Sequence, residues 1–192
     1  FRGQFCQVSD PVDHLSREVF LCSNRTDDGV YDFSVVDAAI YEILANHEDT
    51  YIMISNQLDV PTWWEEKYPE EMVVTSNGSD AGGVSYASDK FVEDATAVNI
   101  AMLEHMMQQP YANRIIGSTL TSCRTSEWLW YGSGQYATDM SEVNQKKFRQ
   151  WLTATYQTDA ALQEAWNNST VTLETATVPT FEERAGETYS TF

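Results

Sequence analysis

Glu127 stands between two small hydroxyl residues, Thr125 and Ser126, and a run of large rings, Trp128, Trp130 and Tyr131. An ionised carboxylate is costly to bury unless it is paired or hydrogen-bonded. Aromatic neighbours disfavour its charged form and raise its pKa, which is one way a protein makes a general acid. A carboxylate in this pattern could equally serve at a helix start or in a salt bridge at a rim. A second aromatic pair, Trp63 and Trp64, follows Asp59 closely in sequence. Together these residues offer proton transfer, flat apolar faces and hydrogen-bonding groups for a neutral, hydroxylated ligand.

Other chemistries have less behind them. His14, His47 and His105 share no metal-ligand spacing such as i, i+4. Cys123 lies four residues before Glu127 with no histidine nearby in sequence, so a buried thiol is expected rather than a nucleophile. Cys6, Cys22 and Cys123 form no CxxC pair, and an odd count without a framework reads as thiols, although one disulfide could form. Asn-x-Ser/Thr triplets at Asn24, Asn77, Asn167 and Asn168 are short enough to arise by chance.

The chain of 192 residues carries 11 Lys and Arg against 29 Asp and Glu, a formal net charge of −18. That balance excludes the basic footprint of nucleic-acid binding and argues against anionic membrane surfaces, but it does not repel a sugar. With 42% hydrophobic residues the chain can bury a core, as one domain or a piece of a larger one. No apolar run approaches the ~20 residues of a membrane span. A start at Phe1 with no signal-like segment is expected of a processed, trimmed or excised product.

The elements that would position Glu127 follow from hydrophobic spacing. A strand is expected over 18–23 and a turn over 24–29. A helix follows, capped by Ser34 with Asp37 in a weak capping box, its apolar face made of Val36, Ala39, Ile40, Ile43 and Leu44. Residues 50–58 read as a strand buried on both faces. Residues 59–71 read as loop, with Trp63 and Trp64 pointing opposite ways, one into the core and one toward a ligand. A Gly- and Ser-rich surface loop is expected over 75–88. Phe91, Ala95, Val98, Met102, Leu103 and Met106 mark a long helix that ends before Pro110, and 112–120 a third strand. Ser141 should cap a helix burying Val143, Phe148, Trp151 and Leu152, and Asp159 a shorter one through Trp166. Trp151 and Trp166 are expected in the core, and the tail from 172 loses its apolar period.

Strand-helix-strand-helix-strand indicates a parallel α/β sheet, whose ligands bind beyond the C-terminal strand ends. Asp59–Trp64 and Thr121–Tyr131 occupy that position.

Four blocks in order carry a resemblance. They are GVYDFSVVDAAI (29–40), VPTWWEEKYPEE (60–71), PYANRIIGSTLTSCRTSEW (110–128) and DMSEVNQKKFRQWLTATYQTDAALQEAWNN (139–168). Together they are similar to the catalytic barrel of retaining β-glycosidases, specifically the family 42 β-galactosidase type. The resemblance covers most of residues 25–185, and FRQWL with TDAALQEAW is its most specific part. It implies a single α/β domain over 1–192 forming an incomplete part of a (β/α)8 barrel. By resemblance Glu127 is the general acid/base. Trp63, Trp64, Trp128 and Trp130 offer faces to a sugar, and Asp59, Thr125 and Ser126 could bind its hydroxyls.

Two departures matter. The superfamily usually places Asn where this chain has Ser126, which shifts the substrate expectation more than the fold. A complete barrel takes ~250 residues, and the nucleophile, which must lie ~5–5.5 Å from the acid/base, follows strand seven in the family, outside this chain. Glu174, Glu182 and Glu183 match no nucleophile motif. The chain is therefore an enzyme only if that carboxylate is supplied from outside it. The alternative is a non-catalytic carbohydrate-binding or interaction module derived from such a barrel. No metal or organic cofactor is implied. Open sheet edges predict self-association or a completing chain.

Overall fold

The structure is a computed structural model; it describes residues 7–9, 16–18, 25–27, 29–58, 60–75, 78, 80–121, 139–180 and 183. The chain divides into two compact units, one of residues 1–67 and 92–129, the other of residues 68–91 and 130–192.

The first unit is built on a parallel strand pair, β5 (Ile52–Gln57) and β8 (Ile115–Thr121), the two expected near 50–58 and 112–120. Short strands β1 (Gln7–Ser9) and β2 (Ser16–Glu18) extend the sheet in the order β2-β1-β5-β8. β1 runs antiparallel to both of its neighbours, so the sheet is mixed rather than wholly parallel. The six residues between β1 and β2 are too few for the crossover that parallel neighbours require. Of the strand expected over 18–23, Glu18 ends β2 and the rest lies outside the described residues. The stretch expected as a turn, 24–29, instead holds strand β3 (Arg25–Asp27), which pairs antiparallel with β4 (Val30–Tyr31), and Gly29, at φ 69°, lies between the two strands.

Helix α1 (Ser34–Asn46) buries Val36, Ile40 and Ile43 at helical spacing. They meet Ile52 and Ile54 of β5, Met102 and Met106 of α3 (Asp89–Met107), and Tyr111 in one core. β5 buries Ile52, Ile54 and Asn56 fully, while Met53 and Ser55 are half-buried, so one face is sealed rather than both. Gly117 lets the parallel pair close up: a Cβ there would lie 3.1 Å from Met53 Sδ.

The start of α1 differs from expectation. Ser34 is already helical, and its backbone N–H donates to Asp32 Oδ1 at 2.9 Å; hydrogen bonding from the Ser34 hydroxyl first, and from this N–H second, holds that carboxyl below the usual range. Asp37 closes no capping box. It accepts from His105 Nε2 at 3.0 Å and from the Tyr111 hydroxyl. The partners on α3 and beyond it are partly buried beside the core, where a hydrogen bond to the carboxylate is less weakened by water than at the solvated helix end. Burial, and then the Asp37 carboxylate, push the Tyr111 phenol well above its ordinary pKa.

Residues 59–71 are more ordered than a loop. Thr62–Lys67 forms helix α2, begun by Trp64 and Glu65 N–H groups donating to Pro61 O, and Pro69–Glu71 forms a 3-10 turn. Glu65 in the first turn and Lys67 in the last complement the helix dipole. The stretch expected as a surface loop, 75–88, holds strand β7 (Asp80–Val84), antiparallel to β6 (Met72–Val74). Gly78 at φ 78° lies between them. The Gly and Ser content marks the turn, and Val84 and Ser85 are buried behind it. Ser88 Oγ accepts from Phe91 N–H at 2.9 Å at the start of α3, and Leu103 falls on the exposed side of that helix.

The second unit pairs α4 (Glu142–Tyr156) with α5 (Asp159–Trp166). Ser141 caps α4 as expected, accepting from Asn144 N–H. Thr158, not Asp159, caps α5; Asp159 is helical and accepts from Leu173 N–H at 2.8 Å. Leu152, Leu162 and Ala176 form the core, flanked by Phe148, Tyr156, Val171 and Leu173. Trp151 and Trp166 are not in it: they are 56% and 37% exposed. Leu152 and Leu162 fill the helix seam, and the larger rings ride outside, both stacked on Phe148, Trp151 at 6.1 Å and Trp166 at 6.3 Å between centroids. Among the described residues no helix is long and apolar enough to cross a membrane.

Candidate functional site

In the parallel register Gln57 lies opposite Thr121, so β5 and β8 end side by side. The chain leaving β5 passes Val60 and Pro61 into α2; the chain leaving β8 enters the segment that carries Glu127. Asp59, Thr125, Ser126, Glu127, Trp128 and Trp130 lie outside the described residues. The structure therefore places two of the predicted site residues, Trp63 and Trp64, and the strand ends from which the others depart.

The two tryptophans sit on a helix, about 100° apart around its axis rather than on opposite faces of an extended segment. Trp64 is fully buried, and its indole N–H donates to Asp94 Oδ2 of α3 at 2.8 Å. A ring enclosed in this way has no face for a ligand, so Trp64 is corrected from sugar platform to core. Trp63 is half-buried, with Lys67 Nζ, one turn on, 6.0 Å from its ring centroid. That cation–π contact is worth about 0.5–1 kcal/mol at a wet site and steadies the one ring of the pair that keeps accessible surface.

Beneath the strand ends lies a polar group that the sequence pattern did not bring out. Asn56 Nδ2 donates to Asn99 Oδ1 at 2.9 Å and to Ser118 Oγ at 3.2 Å, and Asn99 Nδ2 donates to Ala95 O at 2.7 Å. This ladder ties β5, β8 and α3 together one residue before β5 ends. A buried polar group must be hydrogen-bonded to be tolerated, so it fixes the relative position of its partners more sharply than apolar contact does. The only hint in the sequence is an asparagine inside the apolar run YIMISNQL.

In the second unit, Asp139 is the first described residue after the segment carrying Glu127, and it is buried. Its Oδ2 accepts from Ser85 Oγ at 2.6 Å and its Oδ1 from Ser141 N–H at 2.9 Å. Its carbonyl accepts from Asn144 Nδ2 at 2.6 Å, and Met140 N–H donates to Val74 O at 2.6 Å. The carboxylate is satisfied by hydroxyl and amide donors at the head of α4, where the helix dipole also favours an anion. Among the described residues no three His, Cys, Asp or Glu side chains are grouped to hold a metal ion.

A family model described as Beta-galactosidase, of glycoside hydrolase family 42, matches residues 25–174. No curated protein matches the chain. Among solved structures, the β-galactosidase of Bacillus circulans sp. alkalophilus is similar at 19% identity and TM-score 0.62, over 90% of this chain and 25% of that one. The β-galactosidase of the psychrophilic Marinomonas ef1 is similar at 18% identity and TM-score 0.64, over 83% and 24%. That of the haloarchaeon Halorubrum lacusprofundi is similar at 18% identity and TM-score 0.56, over 83% and 23%. The likeness shows the fold, part of a (β/α)8 barrel; among the described residues the strands do not close into a barrel. The chain spans about a quarter of the length of these structures.

Proposed function

The chain belongs to glycoside hydrolase family 42, the β-galactosidases, and on that premise we propose that it forms the part of a retaining β-glycosidase that carries the general acid/base. The observation that carries this reading is the family match over 25–174, which spans both parallel strands and Glu127. Glu127 follows Thr121, the last residue of β8, by six positions in sequence, and barrel enzymes draw their catalytic groups from the segments that follow the C-terminal strand ends.

In this mechanism the Glu127 carboxylic acid protonates the leaving glycosidic oxygen while a second carboxylate attacks the anomeric carbon. Glu127, now ionised, then deprotonates the water that releases the sugar. The second carboxylate comes from outside the chain, from further sequence or a completing polypeptide. Trp63, Trp128 and Trp130 present rings to the apolar face of the sugar; Asp59, Thr125 and Ser126 bind its hydroxyls. Ser126 reaches less far than the asparagine usual in the superfamily, so recognition of the 2-hydroxyl is weakened or rerouted. The substrate is a terminal β-galactoside or a related neutral sugar, and residues 1–192 act as a single partial barrel domain.

The test is the intact mass of the native gene product, with assays on aryl β-galactosides and β-glucosides beside Glu127→Gln. A native chain longer than this one, whose hydrolysis collapses in the variant, supports the assignment. A native chain of this length that hydrolyses nothing overturns catalysis and leaves a barrel-derived sugar-binding module.

A further inference from the structure

The turn that ends α5 reads Trp166–Asn167–Asn168–Ser169–Thr170 and contains two of the four Asn-x-Ser/Thr triplets. Asn24 and Asn77 lie outside the described residues. Asn167 is consumed by the helix end: it takes the left-handed conformation at φ 47°, ψ 41°, and its backbone N–H donates to Gln163 O and Glu164 O. Asn168 is different. Its backbone N–H donates to Gln163 O at 3.0 Å, which fixes the main chain and leaves the side chain in solvent. Its Oδ1 then accepts both the backbone N–H of Thr170, at 3.0 Å, and the Thr170 hydroxyl, at 2.8 Å.

We propose that Asn168 is an acceptor site for N-linked glycan, with Thr170 as its activating hydroxyl and Trp166 as the platform for the first sugar. Two donors on one amide oxygen hold the carboxamide in one orientation and make its Nδ2 protons more acidic, which eases their loss to a base during transfer. The Nδ2 group makes no hydrogen bond among the described residues. In the transfer, Nδ2 forms a bond to the anomeric carbon of a polyprenyl-diphosphate-linked oligosaccharide. The bond from that carbon to the diphosphate oxygen breaks, the lipid diphosphate leaves with the electron pair, and an amide proton passes to a base of the transferase. Ser169 at the middle position is permissive, since only proline is barred there.

Trp166 supplies the second, independent feature. It ends α5 two residues before Asn168, is 37% exposed, and is braced against Phe148 with 27° between ring planes. A rigid ring with a solvent face gives the apolar side of a saccharide somewhere to stack without ordering a loop. Leu162, fully buried one turn earlier, and the Thr158 cap hold the helix that carries it.

The test uses the folded 192-residue chain, a purified oligosaccharyltransferase and a polyprenyl-diphosphate oligosaccharide, with sites mapped by mass spectrometry. The peptide of residues 160–176 in the same reaction is the unstructured reference. Expected is modification of Asn168 but not Asn167, at a rate comparable to the peptide, lost in Thr170→Ala and retained in Thr170→Ser. Glycosylation should raise Tm in the parent chain and leave it unchanged in Trp166→Ala. A folded chain that stays unmodified at Asn168 while the peptide is consumed overturns the proposal. Equal Tm shifts in the parent and Trp166→Ala overturn the role given to Trp166.

Discussion

The Ser85–Asp139 hydrogen bond is the interaction whose removal should tell most about the second unit. Ser85→Ala deletes the O–H that donates to Asp139 Oδ2 at 2.6 Å and leaves a buried carboxylate oxygen without that donor. A hydrogen bond to a charged group contributes about 1.5–3 kcal/mol, and stranding the buried acceptor puts the loss near the upper part of that range. Ser85 Oγ also accepts from Ala87 N–H at 3.3 Å, a longer and weaker contact that adds little. The expected loss is about 2–3 kcal/mol, or roughly 4–12 °C in Tm for a chain of this length. Asp139→Asn should cost less, because its amide can keep Oδ1 toward the Ser141 N–H, which now donates there at 2.9 Å, and donate from Nδ2 to the Ser85 oxygen. Thermal and urea unfolding of both single variants and the double variant close the cycle. Hydrogen exchange at Met140 and Ser141 reports the local effect, since their N–H groups are bonded to Val74 O and Asp139. A Ser85→Ala loss below about 0.5 kcal/mol, or single losses that simply add in the double variant, would refute the coupling argued here.

Four other outcomes follow from the same geometry. Trp64→Ala should cost about 3–5 kcal/mol as a buried large-to-small change, while Trp63→Ala stays within about 1 kcal/mol and weakens sugar binding; thermal melts and titration with galactose read the two effects separately. Asn56→Leu should destabilise the first unit by about 1–3 kcal/mol, because Asn99 Oδ1 and Ser118 Oγ each lose a donor; an unchanged urea midpoint would remove the ladder from the argument. The Tyr111 phenol is held protonated in the fold, so its contribution is complete below its unfolded pKa of about 10 and is lost as pH rises beyond it. Tyr111→Phe should flatten the alkaline fall of Tm. In a complete enzyme, Glu127→Gln should slow hydrolysis of alkyl glycosides by about 10²–10⁴-fold and affect aryl glycosides with good leaving groups less, as initial rates on paired substrates would show.

Much of the architecture was legible from spacing alone. Val36, Ile40 and Ile43 fall where a helix needs them, the runs at 52–57 and 115–121 are strands, and Ser141 caps the helix it precedes. The misreadings share a physical origin: local chemistry was outweighed by partners distant in sequence. Asp37 has the spacing of a capping box, yet His105 and Tyr111 arrive from α3 and the turn beyond it to claim the carboxylate. Trp63–Trp64 sits beside a proline and reads as extended, but burial of Trp64 against Asp94 supplies the enthalpy that a six-residue helix lacks by itself. Trp151 and Trp166 were expected inside because large rings usually are, whereas Leu152 and Leu162 already fill the seam between α4 and α5. At the site, the sequence and its resemblance named Glu127 and its neighbours, while the Asn56–Asn99–Ser118 ladder near the strand ends was invisible because its members lie far apart in the chain.

The division of the chain carries a consequence for how it can be made and unmade. Each unit is assembled from two separated stretches, so the polypeptide passes from one to the other after residues 67, 91 and 129, and the middle passage falls inside α3. A single proteolytic cut or a terminal deletion cannot release either unit intact. During synthesis the first unit must wait for β8 before its parallel pair can form, and by then the hairpin of β6 and β7 has already emerged without α4 and α5. The hairpin thus spends that interval without Asp139 and Met140, the partners of Ser85 Oγ and Val74 O, which makes the 68–91 stretch a place where a chaperone or a protease would find this protein early.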